Sequence, residues 1–206
     1  KLGFKGVQIH GAHGYLVSEF LSPRHNQRTD KWGGSLENRM LFVKEIYKAM
    51  REAVGENYPI GIKINSADFS KGGFTHQESI EVAKALSGLG IDLIEISGGS
   101  YEKWAMTGDK VQNSTKDREA YFLKYAKDIK KVISCPLMVT GGFRTGGFMN
   151  ESIASGDIDM VGLGRPLCIN PDLSKQLMKG KEIQSQVKPL SSGILFIDKL
   201  FPLEII

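Results

Sequence analysis

Residues 6–15 read Gly6-Val7-Gln8-Ile9-His10-Gly11-Ala12-His13-Gly14-Tyr15. Val7 and Ile9 alternate as strand residues do, and Gly11 and Gly14 let the backbone turn tightly just beyond them. The pattern predicts a short strand that delivers two imidazoles and a phenol to one small turn above its end. Two neutral imidazole N–H groups aimed at one substrate oxygen stabilise an enolate, and a nearby phenol supplies a proton. Taken alone, His-x-x-His also suits metal ligands, helix-surface residues and satisfied core histidines, and the motif leaves these alternatives open.

Working outward, five apolar runs recur, over residues 6–10, 60–65, 92–97, 136–140 and 159–164, each followed by a helical pattern. This is βα alternation. The runs are nearly continuous in Val, Ile, Leu and Met, as expected of parallel strands covered on both faces. Helices are expected over residues 38–54, 77–89, 118–133, 146–155 and 171–178. Met40, Val43, Ile46, Tyr47, Met50 and Val54 stripe the first, and Ile80, Val82, Ala83, Leu86 and Leu89 the second, which is core packing. Alternation of this kind fits an eight-stranded barrel or an open doubly wound sheet, and both place ligands at the C-terminal strand ends.

Two glycine turns close the last two strands, Thr140-Gly141-Gly142-Phe143-Arg144 and Gly162-Leu163-Gly164-Arg165-Pro166. Exposed backbone N–H groups at such turns favour an anion, and in many barrels a phosphate binds between the loops after strands seven and eight. Lys63 lies inside Ile60-Gly61-Ile62-Lys63-Ile64-Asn65, where a charge needs a partner, and a ligand could be that partner. Ser35 offers a hydroxyl where a helix begins.

The 206 residues carry 27 basic and 23 acidic side chains, a net charge of +4 with the basic residues scattered, which does not indicate a nucleic-acid surface. No apolar run approaches a membrane span. Cys135 and Cys168 are too few and too distant for a disulfide scaffold or a zinc ribbon. Both sit in apolar sequence typical of buried thiols, so a reducing, cytoplasmic location is expected. Only four histidines are present, and no acidic residue forms a recognisable ligand set with His10 and His13, so no metal site is expected.

After the histidine turn come Phe20-Leu21-Ser22-Pro23 and Asn26-Gln27-Arg28-Thr29-Asp30-Lys31-Trp32-Gly33-Gly34-Ser35-Leu36-Glu37-Asn38-Arg39. With the His-x-x-His-x-Tyr stretch before it, this run resembles the Old Yellow Enzyme family of FMN-dependent NAD(P)H:flavin oxidoreductases. The likeness extends from about Gly3 to about Leu177. It implies a (β/α)8-type barrel, of which residues 1–180 represent the C-terminal strands and helices, the first strand here corresponding to the family's fourth. The N-terminal half is then expected upstream, and residues 181–206 form an apolar tail without a family counterpart.

By the same resemblance, FMN is the cofactor, NADH or NADPH the reductant, and the substrate an α,β-unsaturated carbonyl compound whose C=C bond takes a hydride. His10 and His13 would hold the carbonyl oxygen and Tyr15 would supply a proton. Gly141, Gly142, Gly164 and Arg165 would hold the FMN phosphate. Lys63 stands where the family usually has arginine near the flavin N1 and O2 edge, and gives a point charge in place of a planar fork. Arg28, Asp30, Glu37, Asn38 and Arg39 would brace a loop against a helix. Gly99 and Tyr101 would lie over the flavin or its substrate, with Trp104 and Met106 as loop anchors. A homo-oligomer is compatible with this reading. The alternative is a non-catalytic half-barrel that binds a phosphate or a partner chain.

Overall fold

The computed structural model describes residues 3–98 and 115–182, with side chains from Phe122 onward in the second stretch. The expectations for Gly99, Tyr101, Trp104, Met106 and the tail from residue 183 on lie outside the described residues. Five strands, β1 (Val7–Gly11), β2 (Ile60–Asn65), β3 (Leu93–Ser97), β4 (Leu137–Thr140) and β5 (Met160–Gly162), form one parallel sheet in sequential order. Sequential order separates the two candidate architectures. A doubly wound sheet reverses direction at a switch point, whereas each strand here adds to the same side of the last, as in a barrel.

Register divides the side chains into two faces. Gly11, Ile64, Ile96, Val139 and Val161 follow one another in one row, and His10, Lys63, Glu95, Met138 and Met160 in the adjacent row. The first face is apolar and covered by helices: Ile60, Ile62, Ile64, Ile94, Ile96 and Leu137 are fully buried. Each such side chain contributes about 1.5–3 kcal/mol by leaving water. The other face, the barrel interior, carries Gln8, His10, Lys63, Asn65, Glu95 and Ser97, and Met160 on it is 46% exposed. The expectation of strands covered on both faces holds for β2 and β3, where Asn65, Glu95 and Ser97 are buried, and is corrected for β1 and β5, whose inner positions Gln8, His10 and Met160 are exposed.

The covering layer consists of α1 (Leu16–Leu21), α2 (Leu36–Val54), α3 (His76–Gly88), α4 (Thr115–Lys130), α5 (Gly146–Ala154), α6 (Arg165–Ile169) and α7 (Leu173–Met178). α2 starts where Ser35 Oγ accepts from the Asn38 N–H, and α3 where Thr75 and Glu78 make a reciprocal capping box. α1 and α6 were not foreseen: at six and five residues they are too short to show a helical period. The helix expected to begin at Pro171 starts two residues later, at Leu173. Cys135 is buried as expected, but Cys168 is exposed, because it lies on the outward side of the short α6.

The brace ascribed to the loop before α2 centres on one residue. Arg39 is 4% exposed; its guanidinium donates to the Leu21 carbonyl, to the Gly34 carbonyl at 3.1 Å and to Glu78 Oε1 at 2.5 Å. It therefore joins α1, the glycine loop and α3. Asn38 adds a 2.9 Å bond to the Gly33 carbonyl, Arg28 and Asp30 pair with each other at the surface, and Glu37 points to solvent.

Candidate functional site

At the C-terminal end of β1 the chain turns through His13 with φ 65° and Gly14 with φ 81°. A left-handed histidine is uncommon and is held here by specific partners. The His13 N–H donates to Asn65 Oδ1 at 3.1 Å, and His13 Nε2 lies 2.8 Å from Ser97 Oγ. Asn65 is in turn oriented by its 2.9 Å bond to Asp68 Oδ1, while Asp68 Oδ2 accepts from Ser22 Oγ at 2.8 Å and the Phe74 N–H at 2.9 Å. The turn brings the expected trio together: the His10 ring is 5.4 Å from His13 and 5.0 Å from Tyr15. His13 is buried, whereas His10 and Tyr15 are exposed on the open side.

Lys63 sits beside His10 in the β1–β2 register and finds its partner within the protein. Its ammonium is 3.0 Å from Glu95 Oε1, and Gln8 Nε2 donates to Glu95 Oε2 at 2.8 Å. Burial pushes the Glu95 carboxyl up, but the Thr140, Lys63 and Gln8 side chains around it more than offset this and hold it below its ordinary value. Both imidazoles shift down. For His13, burial acts first, then the charges of Lys63 and His10, against Glu95, bringing it to about 4; for His10 the causes are burial and Lys63. Both rings are therefore held toward the neutral form near pH 7, in which each keeps one N–H to donate to an acceptor oxygen.

Beyond these residues a cavity of about 170 Å³ opens at the strand ends. His13, Lys63 and Ser97 line one wall; Thr140, Gly141, Gly142, Arg144, Gly164 and Arg165 line the other. Gly141 and Gly142 have φ 118° and 85°, values that side chains disfavour, and nothing stands within 4 Å of where a Cβ on Gly164 would point. Bare backbone and two guanidinium groups beside an open space fit an anion such as a phosphate ester. Since pockets for whole cofactors run ~300–1,000 Å³, this space suits part of a nucleotide-sized ligand. Among the described residues, no three His, Cys, Asp or Glu side chains cluster so as to hold a metal ion.

The eight expected site residues thus gather at one end of the sheet, Tyr15 at its outer margin. The sequence reading missed Glu95, Asn65, Asp68, Ser97 and Arg144. Glu95 carried the signal that singled out Lys63, a charge inside an apolar strand run. Asn65 and Ser97 had no local signal beyond ending their strands.

Fold and site define a class: a segment of a (β/α)8-type barrel with its polar groups gathered at the C-terminal strand ends. The model of the NADH:flavin oxidoreductase / NADH oxidase family matches residues 1–184, and the chain belongs to that family. An NADH-dependent flavin oxidoreductase of Talaromyces variabilis is 39% identical over 186 residues, covering 88% of this chain and 45% of that protein. A 2-naphthoyl-CoA reductase solved with 2-naphthoyl-CoA superposes with a TM-score of 0.79 at 36% identity, over 87% of this chain and 27% of its own. An old yellow enzyme homologue from Zymomonas mobilis gives 0.70 at 28% identity, over 90% and 49%. The chain spans about a quarter to a half of the length of the curated relatives it matches. FMN and NADH are the cofactor and reductant that the family brings.

Proposed function

We propose that this chain is the flavin-phosphate and substrate-activating part of an NADH-dependent oxidoreductase that reduces the C=C bond of an α,β-unsaturated carbonyl compound. The observation that carries the reading is the convergence of His13, Lys63 and the glycine and arginine turns at one strand-end cavity, with the His10 ring 5.4 Å from His13 at its margin. The fit to FMN rests on that anion cradle: the N–H groups of Gly141, Gly142 and Gly164 with the Arg165 guanidinium would hold the phosphate. Lys63 would hold the electron-rich edge of the ring system. When bound, FMN supplies the hydride, which it takes from NADH.

The chain's own residues do the rest. His10 and His13 would donate to the substrate carbonyl oxygen and stabilise the negative charge that develops there, each bond contributing on the order of 3 kcal/mol if it matches oxyanion donors elsewhere. Tyr15, 5.0 Å from His10 and exposed, would give its phenolic proton to the α-carbon. A reductase named for 2-naphthoyl-CoA among the structural relatives supports a conjugated acyl substrate as well as a free enone. The test is to titrate the purified chain with FMN, follow the visible flavin band, and then assay NADH oxidation with cyclohexenone. Micromolar binding with a perturbed band is expected. Binding without turnover would favour the non-catalytic reading, and an unperturbed free-flavin spectrum would overturn the proposal that this chain by itself forms the flavin-phosphate site.

A further inference from the structure

His13 is mounted at two points by residues that face each other across the sheet. Asn65 and Ser97 are the last residues of β2 and β3 and are register partners. Asn65 pins the backbone N–H of His13, and Ser97 meets the ring at Nε2, 2.8 Å away. Asn65 cannot turn its amide round, because Nδ2 is committed to Asp68. The Ser97 bond is different, since its direction is set by which ring nitrogen carries the proton.

Ser97 decides it. The residue is 6% exposed, and among the described residues Nε2 of His13 is the one partner its hydroxyl has. If Nε2 carried the proton, Ser97 would accept it and its own O–H would have no protein acceptor among the described residues. If Nδ1 carries the proton, the Ser97 O–H donates to the Nε2 lone pair and both groups are satisfied. We propose that Ser97 is a positioning residue that fixes His13 as the Nδ1–H tautomer, leaving Nδ1–H as the ring's free donor at the cavity. Nδ1 itself has no hydrogen-bond partner among the described residues, and His13 lines the cavity. The consequence for chemistry rests on the function proposed above: the site offers this imidazole to an acceptor oxygen through Nδ1 and not through Nε2. Without the serine, the ring would be free to present a lone pair, which repels a carbonyl oxygen.

Long-range ¹H–¹⁵N spectra of the uniformly labelled 206-residue chain at neutral pH report the tautomer directly, with His13→Gln assigning the signals. The expected result is a protonated Nδ1 and an unprotonated Nε2 in the unaltered chain. Ser97→Ala should lose that preference and show Nε2–H, while Ser97→Thr, which restores the hydroxyl, should keep it. A protonated Nε2 in the unaltered chain, or an unchanged tautomer in Ser97→Ala, overturns the proposal. If Ser97→Ala does not fold, the unaltered chain and Ser97→Thr still decide. FMN titration of the same samples separates the two claims. A correct tautomer without flavin binding defeats the proposed function alone, and flavin binding with the wrong tautomer defeats this inference alone.

Discussion

His13 combines burial with the neighbouring Lys63 ammonium, and its lowered proton affinity follows from them. In the unfolded chain the ring titrates near its ordinary 6.5, whereas in the fold it does so near 4. Between those values the unfolded state binds the proton and the native state does not, so stability rises with pH there. The contribution is fully present above about 6.5, is lost as pH falls, and stops declining below about 4. Urea midpoints of the wild type should therefore drop more steeply through this window than those of His13→Gln. Parallel curves would assign the acid sensitivity to other groups. Gly141 supplies a second test at this scale. With φ 118° and a Cβ that would meet Phe122 at 3.1 Å, Gly141→Ala should cost about 1–3 kcal/mol in denaturant unfolding, and a variant as stable as wild type would mean the turn relaxes freely.

Among the elements, helix starts were legible where a side chain caps them locally, as Ser35 does for α2. The tie between helices was not, because Arg39 meets Glu78 and the Leu21 carbonyl across 39 and 18 residues of sequence. The same holds at the site. His10, His13 and Tyr15 announce themselves by being adjacent, whereas Ser97 reaches His13 across 84 residues, and Gln8 reaches Glu95 across 87. Strand positions were nearly all readable from aliphatic runs. Two-sided coverage was misjudged at the sheet margins because Lys63 was read as a lone charge in an apolar run and not as part of an inner face shared with Gln8, His10 and Glu95. Arg39→Met should lower stability by about 3 kcal/mol, since it strands a partly buried carboxylate and two carbonyls. Thr75→Ala should remove only the cap of α3, about 1 kcal/mol. Chemical denaturation of the two variants should keep this order, and a reversal would remove Arg39 from the centre of the brace.

At the scale of the molecule, sequential parallel order leaves the sheet without closure in the described residues. β1 pairs only with β2 and β5 only with β4, so each leaves one row of backbone N–H and C=O groups unpaired among the described residues. Val7 on the β1 edge is 40% exposed, Phe4 just before it is 75% exposed, and Met160 on β5 is 46% exposed on the inner face. Unpaired edges flanked by apolar side chains recruit further strands, and closure of a barrel is the arrangement that removes them altogether. The 206-residue chain on its own should therefore associate, with a sedimentation-derived mass that rises with concentration. Val7→Lys places a charge on that edge at a position 40% exposed, where the helix-side face is not covered, and should lower the association markedly while leaving the far-ultraviolet circular dichroism unchanged. A monodisperse monomer at all concentrations would mean that the edges are already covered. Association unaffected by Val7→Lys would move the sticky surface from the β1 edge to the β5 edge or the inner face, where Met160→Lys is the corresponding test.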